Sequence, residues 1–146
     1  MKTRILGAVM GIAALSGLLV ASPAQARDGV SSVRIDPSGG YGGGYVRTTV
    51  DFTSRTRVVF RNFTVRDICP GDNVPVRARL HWIHTDRTDG RSAWMSDTNG
   101  CGDDGTNFGT SIRTGTKSIS KIRLELCSTY CDVSAYRFNQ YAHPGY

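Results

Sequence analysis

Apolar and polar positions alternate most regularly over Val76–Thr85 (VRARLHWIHT), where Val76, Ala78, Leu80 and Trp82 share one face and Arg77, Arg79 and His81 the other. Successive side chains of a strand point to opposite sides, so this period of two marks a strand with one buried face. Pro75 precedes the run and the Asp86–Gly90 cluster (DRTDG) follows it. These residue types start and turn extended segments. The stretch therefore predicts a central strand of an antiparallel sheet.

Lys117–Cys127 repeats the pattern, with Ile122, Leu124 and Leu126 inward and Arg123 and Glu125 outward. Val46, Thr48, Val50 and Phe52 mark another strand. Over Thr56–Cys69 the parity slips: Val58 and Phe60 fall on one phase, Phe63 and Val65 on the other. A β-bulge near Arg61-Asn62 would keep all four inward. Shorter candidates are Val30–Ile35, Arg91–Met95, a segment around Ile112 and one running on from Val133. No stretch after residue 26 has a helical apolar period. Seven or eight short strands with turns at about ten-residue intervals predict an all-β, two-layered antiparallel β-sandwich, Ig-like or jelly-roll-like, with Trp82 and Trp94 near the core.

The first 26 residues read as an address. Lys2 and Arg4 precede the apolar run Ile5–Ala21, and Ser22-Pro-Ala-Gln-Ala26 ends in a small-x-small cleavage pattern. The expectation is a signal peptide over 1–26, a secreted product and no transmembrane segment after cleavage. Ser38–Gly44 (SGGYGGG) has a linker's composition. It would divide an N-terminal segment, 27–44, from a sandwich domain, 45–146.

Export decides how the four cysteines are read. In an oxidising compartment they form two disulfides, with three pairings open. The favoured pairing is Cys69–Cys101, closing a long loop, and Cys127–Cys131, closing a tight one. Loss of Lys2 and Arg4 lowers the formal net charge from +6 to +4, a modest basic balance carried almost wholly by arginine.

Several candidate chemistries follow. Arg55, Arg57, Arg66, Arg77 and Arg79, with His81, lie on two successive extended segments; if these are neighbours they form a basic face. Guanidinium groups pair bidentately with phosphate, carboxylate or sulfate, so the expected partner is an anionic cell-envelope polymer. No aromatic platform interleaves them, which argues against nucleic acid. The Asp97–Asn107 loop offers Asp97, Asn99, Asp103, Asp104 and Asn107 with three glycines, a set of hard oxygens that calcium would take. Cys101 breaks the EF-hand spacing, and the same residues are ordinary turn formers. His81 and His84 are three apart, on opposite faces of a strand, so they do not share a metal ion. No other cofactor is implied. Catalysis is not expected: no nucleophile elbow is present, and Glu125 is the only glutamate.

The Cys69-Pro-Gly-Asp72 turn, the Asp97-Thr-Asn-Gly-Cys101 loop and the Ile119–Cys127 strand, ISKIRLELC, follow the leader in an order that resembles small secreted actinobacterial proteins of uncharacterised function. The resemblance covers Phe60–Cys131. It implies no catalytic residue and no ligand. Three functions follow from the residues: a secreted, non-catalytic binding protein acting through the arginine face or the Asp97–Asn107 loop; an inhibitor of a secreted protease or glycosidase, presenting the loop stapled by Cys101; and a small hydrolase in which Glu125 or Asp103 is the acid.

Overall fold

The computed structural model describes residues 27–71, 73–102 and 104–142; the expected signal peptide lies outside them. Eleven strands follow in order: β1 Gly29–Ile35, β2 Gly43–Ser54, β3 Arg57–Ile68, β4 Arg77–His84, β5 Asp89–Arg91, β6 Met95–Ser96, β7 Thr106–Asn107, β8 Ser111–Thr114, β9 Ile119–Cys127, β10 Cys131–Val133 and β11 Arg137–Phe138. Two antiparallel sheets result. The first runs β1-β2-β3-β7, with β8 also on β3; the second runs β10-β9-β4-β5, with β11 on β9 and β6 on β4.

The core is the meeting of the two inward faces. Val33, Ile35, Val46, Val50, Phe52, Val58, Phe60, Phe63 and Val65 from the first sheet pack on Val76, Ala78, Leu80, Ile119, Ile122, Leu124 and Leu126 from the second, with Trp82 and Met95 at its margin. A buried apolar side chain contributes about 1.5–3 kcal/mol, so this interface dominates the stability of the fold.

The parity slip in β3 is a bulge. Arg61 opposes Thr49 and Thr64 opposes Arg47, so Asn62 and Phe63 together face Thr48. Asn62 takes φ 53°, a left-handed conformation that asparagine tolerates better than most residues. Thr48, itself buried, closes the gap by donating Oγ1–H to the Arg61 carbonyl at 2.9 Å. Val58, Phe60, Phe63 and Val65 all face inward as a consequence.

The glycine-rich stretch is no linker. β1 pairs with β2 from Gly29↔Val50 to Ile35↔Gly44, and a boundary at residue 45 would fall inside β2. Ser38 and Tyr41 close the connecting turn through two mutual backbone hydrogen bonds. The glycines answer to close approach rather than freedom. A Cβ on Gly43 would overlap the Ile35 carbonyl, and one on Gly44 would lie 2.8 Å from Val76 Cγ1.

Both expected disulfides are present, Cys69–Cys101 and Cys127–Cys131. The first ties the end of β3 to the 97–107 loop, and the second spans the β9–β10 turn. Two further expectations change. Arg91–Met95 is split between β5 and β6, and the expected last strand between β10 and β11, with Val133 exposed. After β11, Asn139 Nδ2 donates to the Ser54 carbonyl at 3.0 Å and the Ile119 carbonyl at 2.9 Å, linking the sheets.

Candidate functional site

The outer face of the second sheet gathers most of the charge. Alternation along β4 turns Arg77, Arg79 and His81 away from the core, and alternation along β9 does the same for Lys121, Arg123 and Glu125. Register then sets Arg79 opposite Glu125 and His81 opposite Arg123, while β5 brings Arg91 opposite His81. The face carries five cations, Arg77, Arg79, Arg91, Lys121 and Arg123, against the carboxylates Asp89 and Glu125.

Glu125 is the hub. Its Oε2 accepts from Arg79 Nε at 2.6 Å, and its Oε1 lies 3.1 Å from His81 Nδ1, 3.5 Å from Arg91 Nε and 3.8 Å from Arg123 Nη2. Burial alone would raise its carboxyl pKa; the Arg79 hydrogen bond and the surrounding positive charge outweigh that and hold it below the ordinary value. His81 is only 4% exposed despite its outward parity, because these charged neighbours roof it over. Its Nε2 lies 2.9 Å from Asp89 Oδ2, and its Nδ1 accepts from Arg123 Nε at 3.1 Å. Burial lowers the imidazole pKa, and the flanking Arg91 and Arg123 add to the effect, whereas Asp89 and Glu125 oppose it. Burial and the flanking guanidinium groups thus favour the neutral ring over the charged one.

Aromatic rings hold the cations from both sides of the strip. Arg79 and Arg77 stand 4.1 and 4.9 Å from the Trp94 ring centroid. Lys121 and Arg123 stand 4.1 and 5.2 Å from that of Tyr136, and Phe138 lies beside Tyr136 at 6.2 Å. Each such contact contributes about 0.5–1 kcal/mol at an exposed site and restrains a long side chain. Trp94 thus stands outside the core, a correction to its expected place. Its segment leaves the ladder between β5 and β6, and the Arg77–Arg79 pair draws the ring outward.

The expected single basic face does not form. Arg57 begins β3 and Arg55 sits in the β2–β3 turn, both in the first sheet, whereas Arg77, Arg79 and His81 belong to the second. Alternation states which way a side chain points, not which strand lies beside it. Arg66 also lies on β3, over the Tyr45 ring at 5.8 Å. The cations that do join Arg77 and Arg79 come from β5 and β9. Of these, Arg123 is marked by the outward parity of its strand, whereas nothing in the sequence places Trp94 or Tyr136 beside their cations.

The Asp97–Asn107 loop uses its polar groups on itself. Asp97 Oδ1 accepts from Thr106 Oγ1 at 2.7 Å and from the Asn99 amide at 3.1 Å, and Oδ2 accepts from the Asp67 amide at 2.8 Å. Burial would raise this carboxyl pKa, but the Thr106 hydroxyl and the backbone donors lower it on balance. Asn99 Nδ2 donates to the Gly105 carbonyl, and Asn107 Oδ1 accepts from the Gly109 amide. Asp104 is exposed, and Asp103 lies outside the described residues. The oxygens of Asp97 and Asn107 each hold at least one donor of the loop or its neighbours. Among the described residues no three His, Cys, Asp or Glu side chains converge as a metal site. His81 and His84 keep separate partners, His84 Nδ1 donating to the Ser118 carbonyl at 3.3 Å.

Glu125, the acid of the hydrolase expectation, is hydrogen-bonded to Arg79 and its carboxyl lies below the ordinary range. Asp86 is held low by its Lys117 and Thr88 contacts, and Asp89 by its His81 bond. No protein-family model, curated protein or solved structure matches the chain.

Proposed function

We propose that this is a secreted, non-catalytic binding protein whose second sheet presents its outer face to an anionic polymer of the cell envelope. The observation that carries this reading is the stacking of Arg77 and Arg79 on Trp94. It restrains both guanidinium groups on the outer face, where five cations stand against two carboxylates. Pre-ordered guanidinium groups lose less freedom on binding and pair bidentately with phosphate or carboxylate. A flat strip with an aromatic side chain at each margin suits an extended chain better than a small solute. Two disulfides in a small all-β domain are consistent with an extracellular location, and the N-terminal leader pattern supports export.

Co-sedimentation of the oxidised protein with isolated cell wall tests the reading. Exposed charges are screened beyond about 10 Å at 0.1 M salt and about 3 Å at 1 M. Retention at low salt that is lost at high salt is the expected result. Failure to sediment at either salt contradicts it.

A further inference from the structure

A second recess lies away from that face, at the edge of the sandwich where β4 and β9 of the second sheet meet β8 of the first. It encloses about 250 Å³ and is lined by Trp82, His84, Arg113 and Lys117, together with the Thr114–Thr116 turn and Ile119. Trp82 points inward on β4 and lies flat against Gly90 of β5. A Cβ on that glycine would come within 2.5 Å of the indole. Arg113, reaching across from β8, stacks 5.0 Å from the Trp82 ring centroid. The indole is thus held between a glycine and a guanidinium.

Arg113 is the unusual member. No carboxylate among the described residues pairs with it, and its buried Nε has no hydrogen-bond partner. No hydrogen bond or ion pair among the described residues engages its Nη groups either, so the outer edge of the guanidinium keeps its donors for an acceptor. The neighbours are also donor-rich. The Trp82 indole N–H has no acceptor among the described residues, and His84 uses Nδ1 on the Ser118 carbonyl, leaving Nε2 toward other partners. Lys117 is engaged by Asp86 at 2.8 Å and by the Thr88 hydroxyl at 3.2 Å. The volume is smaller than the pockets of about 300–1,000 Å³ that enclose drug-sized ligands.

We infer that this recess is a binding site for one compact oxyanion, a phosphate or carboxylate group, with Arg113 as its charged ligand and Trp82 as the ring that holds the guanidinium in place. The site is independent of the outer face and of the polymer reading. It recognises a single anionic group in a recess at the sandwich edge rather than a chain lying along a sheet face. A free solute and the terminus of a larger molecule offer the same chemistry.

Nuclear magnetic resonance titration of the oxidised protein with inorganic phosphate, and separately with acetate, tests the site through the Trp82 indole N–H resonance. A saturable shift with either anion is expected, and the two arms decide which oxyanion is preferred. Arg113→Gln should weaken binding by about tenfold or more, since hydrogen bonds to a charged group contribute that much. Should Arg113→Gln not fold, Arg113→Lys keeps the charge but loses the fork, and a weaker fit is again expected. A resonance that does not saturate with either anion overturns the inference. So does equal affinity in the Arg113 variants, which would mark the shift as non-specific. In a chloride-matched buffer, the outer-face double variant Arg77→Gln/Arg91→Gln should leave this titration unchanged.

Discussion

His81 Nε2 and Asp89 Oδ2 stand 2.9 Å apart across the β4–β5 pair, with the imidazole almost wholly enclosed and the carboxylate at the surface. Burial of the ring, which outweighs the opposing pull of Asp89, makes the charged face pH-sensitive. The folded pKa of His81 lies below its ordinary value of 6.5, so the unfolded chain binds the proton more readily. The stability this contributes is complete above pH 6.5 and is lost as pH falls through 6.5 toward the folded value, with a slope of at most about 1.4 kcal/mol per pH unit. Asp89 and Glu125, whose pKa values are lowered on folding, act in the same sense at lower pH. Their contribution is present above the ordinary carboxylate range and lost as pH falls through their folded values. Urea melts at pH 8, 6.5 and 5 should show falling midpoints, and His81→Gln should flatten the step between pH 7 and 5. Greater stability at pH 5 than at pH 7 would contradict the buried neutral ring.

The bulge gives a second prediction. Asn62, at φ 53°, occupies a conformation that a β-branched residue reaches only at a cost. Asn62→Gly should be nearly neutral, while Asn62→Val should lower stability by about 1–2 kcal/mol. Equal effects of the two in denaturant melts would show that backbone conformation is not what Asn62 supplies.

The Asp97–Asn107 loop is held by its own hydrogen bonds and by Cys101, so chelation should leave it intact. Tm in EDTA should equal Tm in calcium, whereas Asp97→Ala, which strips three donors of their acceptor, should cost about 2 kcal/mol. Replacing Cys69 and Cys101 together by alanine opens a loop of sequence separation 32 and should cost about 3.5 kcal/mol on a chain-entropy estimate. A rise in Tm with calcium that Asp97→Ala abolishes would restore the cation reading.

How much was legible depended on whether a feature was local. The β3 bulge could be read because Val58 and Phe60 disagree in parity with Phe63 and Val65, and the inward faces of β4 and β9 because their alternation is unbroken. Export implied two disulfides with three pairings open, and the favoured one is the one present. Neighbourhood was not legible. Nothing in the run from Arg55 to Arg79 states that β3 and β4 belong to different sheets, so the expected arginine face joined residues that the fold separates. His81 has an outward parity yet is buried, because Asp89, Arg91, Arg123 and Glu125 arrive from other strands to cover it. Gly43 and Gly44 looked like linker residues because composition cannot distinguish freedom from close approach. Trp94 was expected inward on its hydrophobicity, and its cation partners drew it out.

The central claim is that binding resides on the outer face of the second sheet rather than in net positive charge. The most direct measurement compares two double variants of equal charge change, Arg77→Gln/Arg91→Gln on that face and Arg47→Gln/Arg57→Gln in the first sheet, for binding to polygalacturonate and to poly(glycerol phosphate) by calorimetry at low salt. The first pair should weaken binding to the preferred polymer by about tenfold, with the second close to the unmodified protein. Equal losses in both pairs, or full binding by the first, would contradict the assignment of this face.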